Sequence, residues 1–253
     1  MGEENKTGIA ILTTEDLSNE IENISGSTKK IMWSMVEYKE LQMVYSCAIK
    51  EIQTKFDILN TEFKIKYSRN PISHINSRLK SNTSVAGKLK RKGLSPSVEN
   101  IVEHIKDFAG VRVVCSYIDD IYTIADSLLM QSDIKLIERK DYIKNPKPTG
   151  YRSLHLIVSV PVFFAESKKD VTVEVQIRTI AMDFWASLEH QMKYKQSIED
   201  EDLICRELKE CAEVIAKTDE KMQQLRIRIQ SADDIDTEDE ILFDRLRKID
   251  TPI

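Results

Sequence analysis

Residues 140–155, with the sequence KDYIKNPKPTGYRSLH, lie at the centre of the fold because they connect two strand-like runs. The run before them is residues 134–137 (IKLI), and the run after them is residues 153–160 (SLHLIVSV). Prolines and a glycine between two such runs are typical of a hairpin connection. The stretch therefore predicts two neighbouring strands joined by a stiff loop.

The same loop carries an aromatic ring among cations. Tyr151 follows the flexible pair Thr149-Gly150. The basic residues around it in the sequence are Lys140, Lys144, Lys147 and Arg152. A ring that stacks on a base, beside cations that meet phosphates, suits a nucleotide. A basic, solvated hairpin with Tyr151 packed at its base explains the same residues, so the loop alone leaves both interpretations open.

A clean alternation of apolar and polar side chains in residues 171–179 (VTVEVQIRT) predicts a half-buried strand. Its polar face carries Thr172, Glu174, Gln176 and Arg178. Further strands are predicted at residues 72–80 and 111–115, and short helices at residues 97–104 and 118–130. The order of elements predicts an α+β or mixed α/β domain around about five strands, with long helices at both ends.

Long helices flank this core. In residues 29–67 apolar side chains recur at spacings of three and four, and this stripe indicates core or subunit packing rather than a cofactor site. The stripe consists of Ile31, Met35, Tyr38, Leu41, Tyr45, Ala48, Ile52, Phe56, Leu59 and Phe63. Other helices are predicted from Thr14 and at residues 180–195, 202–230 and 237–248. The predicted domains are an N-terminal tail with helices (1–69), a core (70–195) and an acidic helical extension (196–253).

The composition is that of a soluble globular protein. The 253 residues are 41% hydrophobic and 31% charged, and the net charge of −5 means that any polyanion site has to be local. The four cysteines include no Cys-x-x-Cys pair and are interpreted as buried thiols of a reducing compartment. We find no signal sequence and no apolar run that could cross a bilayer, so we expect a cytoplasmic protein without membrane contact.

A local concentration of positive charge lies between residues 78 and 92, which include no acidic residue. Its members are Arg78, Lys80, Lys88, Lys90, Arg91 and Lys92. Such a cluster is often a solvated face. Its position beside a strand end, in a chain that is acidic overall, makes a phosphate site a serious alternative.

Two carboxylates are candidates for a metal site. Asp107 precedes one predicted strand, and Glu174 lies on the polar face of another. If these strands are neighbours, the carboxylates can converge on one Mg²⁺ and its phosphate oxygens. The alternative is two unrelated surface acids, each paired with a cation such as Arg112 or Arg178. The sequence contains no serine-hydrolase elbow, zinc-protease motif or phosphate loop, and no histidine is followed by aspartate.

Three motifs follow one another in a characteristic order: residues 106–112 (KDFAGVR), residues 140–155 and residues 174–179 (EVQIRT). Together they resemble the synthetase domain of RelA/SpoT-type alarmone synthetases, the GTP pyrophosphokinases. The resemblance covers about residues 70–195, with flanking helices like those of the small stand-alone members. It implies a nucleotidyltransferase-like mixed sheet. It also implies transfer of the β,γ-pyrophosphate of ATP to the ribose 3′-oxygen of GTP or GDP.

The resemblance implies roles for individual residues as well. Asp107 would hold Mg²⁺, and Glu174 would act at the 3′-hydroxyl, as a Mg²⁺ ligand or as the activating group. The ATP side would consist of Arg78, Lys80, Lys88 and Arg91 at the phosphates, Arg112 stacked on adenine, and Lys140. The acceptor side would consist of Tyr151, stacked on guanine, with Lys147, His155 and Gln176.

Two positions differ from the family pattern. Lys140 stands where several small members have an arginine against adenine, and a lysine stacks less well. Asp183 stands where some relatives have asparagine near the acceptor, which leaves the preference among GMP, GDP and GTP open.

The resemblance further implies synthesis without degradation, because the hydrolase domain of long members has no room in this sequence. It also implies a homotetramer and a regulator that is alarmone or single-stranded RNA. Three other functions fit parts of the pattern. They are a nucleotide- or RNA-binding module without turnover, a nucleotidyltransferase with another acceptor, and a scaffold built on the long helices.

Overall fold

The computed structural model describes residues 26–67, 69–194 and 201–233, with side chains for residues 34–67, 69–192 and 203–230. Its elements are α1 (Gly26–Tyr67), β1 (Ile72–Leu79), α2 (Asn82–Arg91), α3 (Val98–His104), β2 (Ala109–Cys115), α4 (Ile118–Leu129), β3 (Lys135–Asp141), β4 (Leu154–Phe163), β5 (Lys168–Thr179), α5 (Ile180–Tyr194) and α6 (Glu201–Asp233). The helices predicted from Thr14 and at residues 237–248 lie outside the described residues. Within the described ranges, no helix has both the length and the apolar character needed to span a bilayer.

The five strands form one mixed sheet in the order β1-β2-β5-β4-β3. The central pair, β2 and β5, is parallel, whereas every other neighbouring pair is antiparallel. Parallel neighbours need a long connection, and here α4 and the β3–β4 hairpin lie between them in the chain. The predicted α+β class with about five strands is confirmed, and residues 140–155 connect β3 with β4 as predicted.

One face of the sheet is apolar and forms the core with α1 and α4. In α1, Ile52 and Phe56 are fully buried, and burial of each such side chain stabilises the fold by roughly 2 kcal/mol. The ring of Phe108 packs edge-on against Tyr45 with centroids 4.8 Å apart. The stripe predicted in residues 29–67 therefore packs in or against the core from Tyr38 to Phe63, whereas Met35 is 65% exposed. Ile31 lies outside the residues with described side chains.

The opposite face is polar, because side chains alternate along each strand. One row crosses all five strands in register, and it consists of Asn76, Arg112, Gln176, His155 and Lys140. The next row on this face includes Arg78, Gly110 and Glu174. Residues from distant parts of the sequence thus share one surface, and most of the candidate residues lie on it.

Several boundaries differ from the predictions. Residues 82–91 form helix α2, which the basic residues had not indicated, and Ser81 caps it by accepting a hydrogen bond from the Ser84 backbone N–H. The predicted cap at Ser97 is present and begins α3. Strand β4 continues through Pro161, which pairs with Asp170 of β5 beyond the last residue pair between β3 and β4. A proline is tolerated there because no neighbour on that side needs its missing N–H.

The last helix, α6, packs back on the core beside the β3–β4 loop. Thr179 donates a hydrogen bond to Asp219 at 2.6 Å, and the Trp185 indole N–H donates to the Leu208 carbonyl at 3.0 Å. Gly150 in the loop has φ +89°, and a Cβ built on it would lie 2.5 Å from the Cβ of Ala212. The loop conformation is therefore tied to α6 at close range.

Gly150→Ala should destabilise the fold more than Gly93→Ala does. Both glycines have positive φ, but a Cβ on Gly93 meets nothing within 4 Å. Gly93→Ala should cost about 1–2 kcal/mol for the backbone alone. Gly150→Ala adds an overpacking cost of about 1–3 kcal/mol against Ala212. Urea unfolding of the two variants measures the difference, and equal losses would contradict the contact between loop and helix.

Candidate active site

A cavity of about 200 Å³ opens on the polar face of the sheet. Its lining consists of Asn76, Ser77, Arg78, Lys80, Asp107, Gly110, Val111, Arg112, Glu174 and Gln176. Gly110 pairs with Arg78 on one side and Glu174 on the other, so the floor carries no side chain between them. Both predicted carboxylates line this cavity. Their partners are Lys80 and Lys88 for Asp107 and His155 and Gln176 for Glu174, not the Arg112 or Arg178 named in the alternative of two unrelated surface acids.

Asp107 is held by two lysines of the basic cluster. Lys80 donates to Oδ2 at 2.8 Å, and Lys88 donates to Oδ1 at 2.7 Å. Burial alone would raise the pKa of Asp107, but the hydrogen bonds and charges of the two lysines outweigh it and hold the pKa below its usual value. The carboxylate is therefore ionised at neutral pH, and its partners are cations that can also bind phosphate oxygens.

Glu174 is held by His155 and Gln176. His155 Nδ1 lies 3.3 Å from Oε1, and the Gln176 amide donates to Oε2 at 2.8 Å. Burial works to raise the pKa of Glu174, but these two partners outweigh it and the pKa is lowered. The nearby charge of Asp107 acts in the opposite direction, as expected for two carboxylates that share one cavity.

Tyr151 lies at the other end of this polar network. Its hydroxyl contacts His155 Nε2 at 2.8 Å and accepts a hydrogen bond from Arg178 at 2.6 Å. The Lys147 ammonium lies over its ring, 4.8 Å from the centroid. Burial raises the pKa of the Tyr151 hydroxyl. The ring is fixed at its hydroxyl end, and its neighbours are cations.

Arg178 was assigned no binding role from the sequence, yet it lies at the centre of the site. Its side chain is 5% exposed, and it donates to Tyr151, Gln176 and Ser153. Its guanidinium also pairs with Asp183, which in turn pairs with Arg112. The sequence feature that could have indicated this role is its position on the polar face of β5, next to Gln176 on the same face.

Some predicted residues lie outside this cluster. Lys140 is on the edge strand β3, half-exposed, and pairs with Glu138 at 3.1 Å; that hydrogen bond raises the pKa of Lys140. Arg91 is exposed at the end of α2 and does not line the cavity. Lys88 does not line the cavity either, but it contacts the cavity residue Asp107. The structure thus brings Arg78, Lys80 and Lys88 of the basic cluster to the site and leaves Lys140 at the opposite edge of the sheet.

The donor set fits a magnesium ion that arrives with a nucleotide. Among the described residues, no group of three or more histidine, cysteine, aspartate or glutamate side chains could hold a metal alone. Asp107 and Glu174 supply carboxylate oxygens to the same cavity. Mg²⁺ typically takes one or two carboxylates and completes its shell with phosphate oxygens and water.

Comparison with known proteins agrees with this geometry. The family model described as "Region found in RelA / SpoT proteins" matches residues 77–199. GTP pyrophosphokinase YwaC of Bacillus subtilis is 46% identical over 188 residues, which cover 74% of this chain and 90% of that protein. The chain belongs to the RelA/SpoT family of alarmone synthetases.

Solved structures of this family share the fold. Small alarmone synthetase 1 from Bacillus subtilis, bound to its product pppGpp, has a TM-score of 0.70 and 32% identity, covering 76% of this chain and 98% of that one. Its structure bound to AMPCPP has a TM-score of 0.64 and 30% identity, covering 77% and 98%. The nucleotidyltransferase-like fold implied by the three motifs is therefore confirmed for this RelA/SpoT family member.

The pH dependence of stability should report the lowered pKa of Asp107. The ordinary aspartate pKa is 3.8, and a folded-state pKa below it stabilises the fold above about pH 4. This contribution disappears as the pH falls through the folded-state pKa. The unfolding free energy of the wild type, relative to Asp107→Asn, should therefore be constant between about pH 7 and 5 and fall below about pH 4.

Urea unfolding at a series of pH values measures this difference. Asp126→Asn, which removes an exposed carboxylate paired with Arg139, is the matched control. A relative loss of stability that begins between about pH 7 and 5 would mean that the pKa of Asp107 is raised, which contradicts the two lysine contacts.

Proposed function

We propose that the chain synthesises (p)ppGpp by transferring the β,γ-pyrophosphate of ATP to the 3′-hydroxyl of GTP or GDP, with GMP as a further acceptor, and releases AMP. The observation that carries this proposal is one cavity with both carboxylates, bordered by lysines on one side and by the Tyr151 network on the other. The product in the related pppGpp complex supports the same chemistry. The biological setting would be the stringent response in the cytoplasm.

The donor side would bind ATP. Arg78 and Lys80 line the cavity, and Lys88 contacts Asp107 from the adjoining helix α2, which supports a role for these cations at the phosphates. Arg91, on the same helix but outside the cavity lining, is assigned to the phosphates by the family resemblance. Arg112 is available to stack on adenine, as a cation–π contact. Its Nε is buried without a hydrogen-bond partner among the described residues. Lys140 belongs to the ATP side by the family resemblance alone, since it lies on the edge strand β3 and does not line this cavity. The AMPCPP complex of the relative supports an ATP site.

The carboxylates would hold Mg²⁺ through Asp107 and Glu174. When bound, this ion would neutralise charge that develops on the phosphate oxygens during transfer. Asp107 would exchange part of its contact with Lys80 and Lys88 for the ion, which frees those ammonium groups for phosphate. Such a cationic site, assembled before the substrate arrives, provides most of the stabilisation that pyrophosphoryl transfer needs.

Glu174 would take the proton of the acceptor 3′-hydroxyl. The 3′-oxygen then forms a bond to the β-phosphorus, the bond from that phosphorus to the bridging oxygen of AMP breaks, and AMP leaves. His155 and Gln176 fix one oxygen each of the Glu174 carboxylate, so its orientation is set before the acceptor binds. Its lowered pKa keeps the carboxylate ionised at neutral pH, so no proton has to leave Glu174 before the acceptor binds.

The acceptor would bind at the β3–β4 loop. Guanine would stack on Tyr151, with Lys147, His155 and Gln176 around the ribose and phosphates. Because the Lys147 ammonium lies over the Tyr151 ring, stacking on that face would move Lys147 aside, where its charge can meet a phosphate. The hydroxyl contacts to His155 and Arg178 hold the ring plane during this exchange.

Self-association is the remaining part of the proposal. Exposed apolar side chains recur every fourth residue along α5: Ile180, Phe184, Leu188 and Met192. An apolar stripe of this kind supports a subunit contact. The homotetramer, and its regulation by alarmone or single-stranded RNA, follow from the family resemblance.

A product assay tests the enzyme proposal. Purified protein with Mg²⁺ and ATP should release AMP and form a guanosine 3′-diphosphate product with GMP, GDP or GTP. Glu174→Gln should lower the rate by at least about 100-fold, because the amide cannot accept the proton. Glu166→Gln, in the exposed β4–β5 turn, is the charge-matched control and should retain the wild-type rate.

Two results would contradict the proposal. If nucleotides bind but no acceptor yields AMP, the site is a binding module without turnover. If pyrophosphate appears instead of AMP, the enzyme transfers a nucleotidyl group to another acceptor.

A further inference from the structure

A single carboxylate lies between two arginines at the junction of β5 and α5. Asp183 Oδ1 is 3.2 Å from Nη1 of Arg112 and 3.1 Å from Nη1 of Arg178. The Asp183 side chain is 16% exposed and that of Arg178 is 5% exposed, so solvent screens these charges only in part. Two guanidinium groups this close repel each other, and the negative charge of the shared carboxylate offsets that repulsion.

The strand-to-helix geometry explains how one residue reaches both arginines. Arg112 on β2 and Arg178 on β5 are diagonal neighbours on the polar face, because Arg112 pairs with Gln176 and Val114 pairs with Arg178. Helix α5 starts directly after β5 and carries Asp183 in its first turn, where the helix dipole also favours an acid.

The two arginines belong to different parts of the site. Arg112 lines the cavity in which the proposed function places ATP. Arg178 donates to the Tyr151 hydroxyl at 2.6 Å and to the side-chain Oε1 of Gln176 at 2.8 Å, and both of these residues are assigned to the acceptor. Asp183 therefore connects the two substrate positions through one arginine on each side.

We propose that Asp183 is a positioning residue that couples binding of ATP to binding of the guanosine acceptor. The proposal rests on the proposed function, which defines the two subsites. A ligand that orders one arginine fixes the carboxylate, and the fixed carboxylate orders the second arginine. The second ligand then meets a site that has already lost part of its freedom, which is positive and reciprocal coupling.

The test measures the dissociation constant of AMPCPP, whose α,β-bridge resists the transfer reaction, with and without saturating GDP by calorimetry. GDP should tighten AMPCPP binding to the wild type by roughly five- to tenfold, and AMPCPP should tighten GDP binding by the same factor. In Asp183→Asn the shape is kept but the charge that holds both arginines is lost. The factor by which GDP tightens AMPCPP binding should then fall to about one, within twofold.

Two further variants separate coupling from a merely structural effect. Asp183→Glu keeps the carboxylate and should retain part of the coupling. Glu189→Gln removes the same charge from the same helix and should leave the wild-type factor unchanged. If Asp183→Asn does not fold, Arg178→Lys replaces it, because one ammonium cannot contact Asp183 and Tyr151 as the planar guanidinium does; the coupling should fall there as well.

Each outcome bears on one proposal at a time. Absence of coupling in the wild type, or an unchanged factor in Asp183→Asn, overturns the role of Asp183. Failure of the wild type to release AMP overturns the proposed function, and this is measured separately with ATP. Binding of both analogues with coupling, but without AMP release from ATP, would preserve the role of Asp183 in a binding module.

Discussion

The parallel pairing of β2 with β5 is the constraint on which the site depends. It places Gly110 opposite Glu174 and Arg112 opposite Gln176, although these residues are far apart in the sequence. A slip of one residue would turn Arg112 of β2 or Glu174 of β5, depending on which strand moves, toward the apolar face, where α1 and α4 pack. Charges buried there without partners are costly, so the core that stabilises the fold also fixes the register of the site.

Burial also decides how the charged residues are paired. Asp107 and Glu174 are both largely withdrawn from solvent, and each has two donors on the protein. The donors lower both pKa values against the effect of burial. The consequence is that these two carboxylates are already oriented, so a ligand exchanges contacts with them instead of having to organise them.

The local sequence pattern was sufficient to predict features that depend on a single strand or motif. The alternation in residues 171–179 placed Glu174 and Gln176 on one face, and the three motifs placed Asp107 near them. Local pattern was insufficient for Arg178, whose role depends on partners from the β3–β4 loop and α5. Asp183 was recognised only as a departure from the family pattern, because its pairing with Arg112 depends on strand order. Helix α2 was not predicted because its many cations indicated only that the segment is exposed to solvent, and an exposed segment can be a helix or a loop.

The acceptor loop shows why the motifs alone do not complete the site. Ordering a loop costs conformational entropy, and here much of the restraint comes from α6, which begins beyond the predicted boundary at residue 195. Gly150 has no room for a side chain because Ala212 is in contact with it, and Arg152 donates to the Ala212 carbonyl at 3.3 Å. The residue between them is Tyr151. Its position thus depends on a helix that none of the motifs includes, so family members with identical motifs need not hold this ring equally firmly.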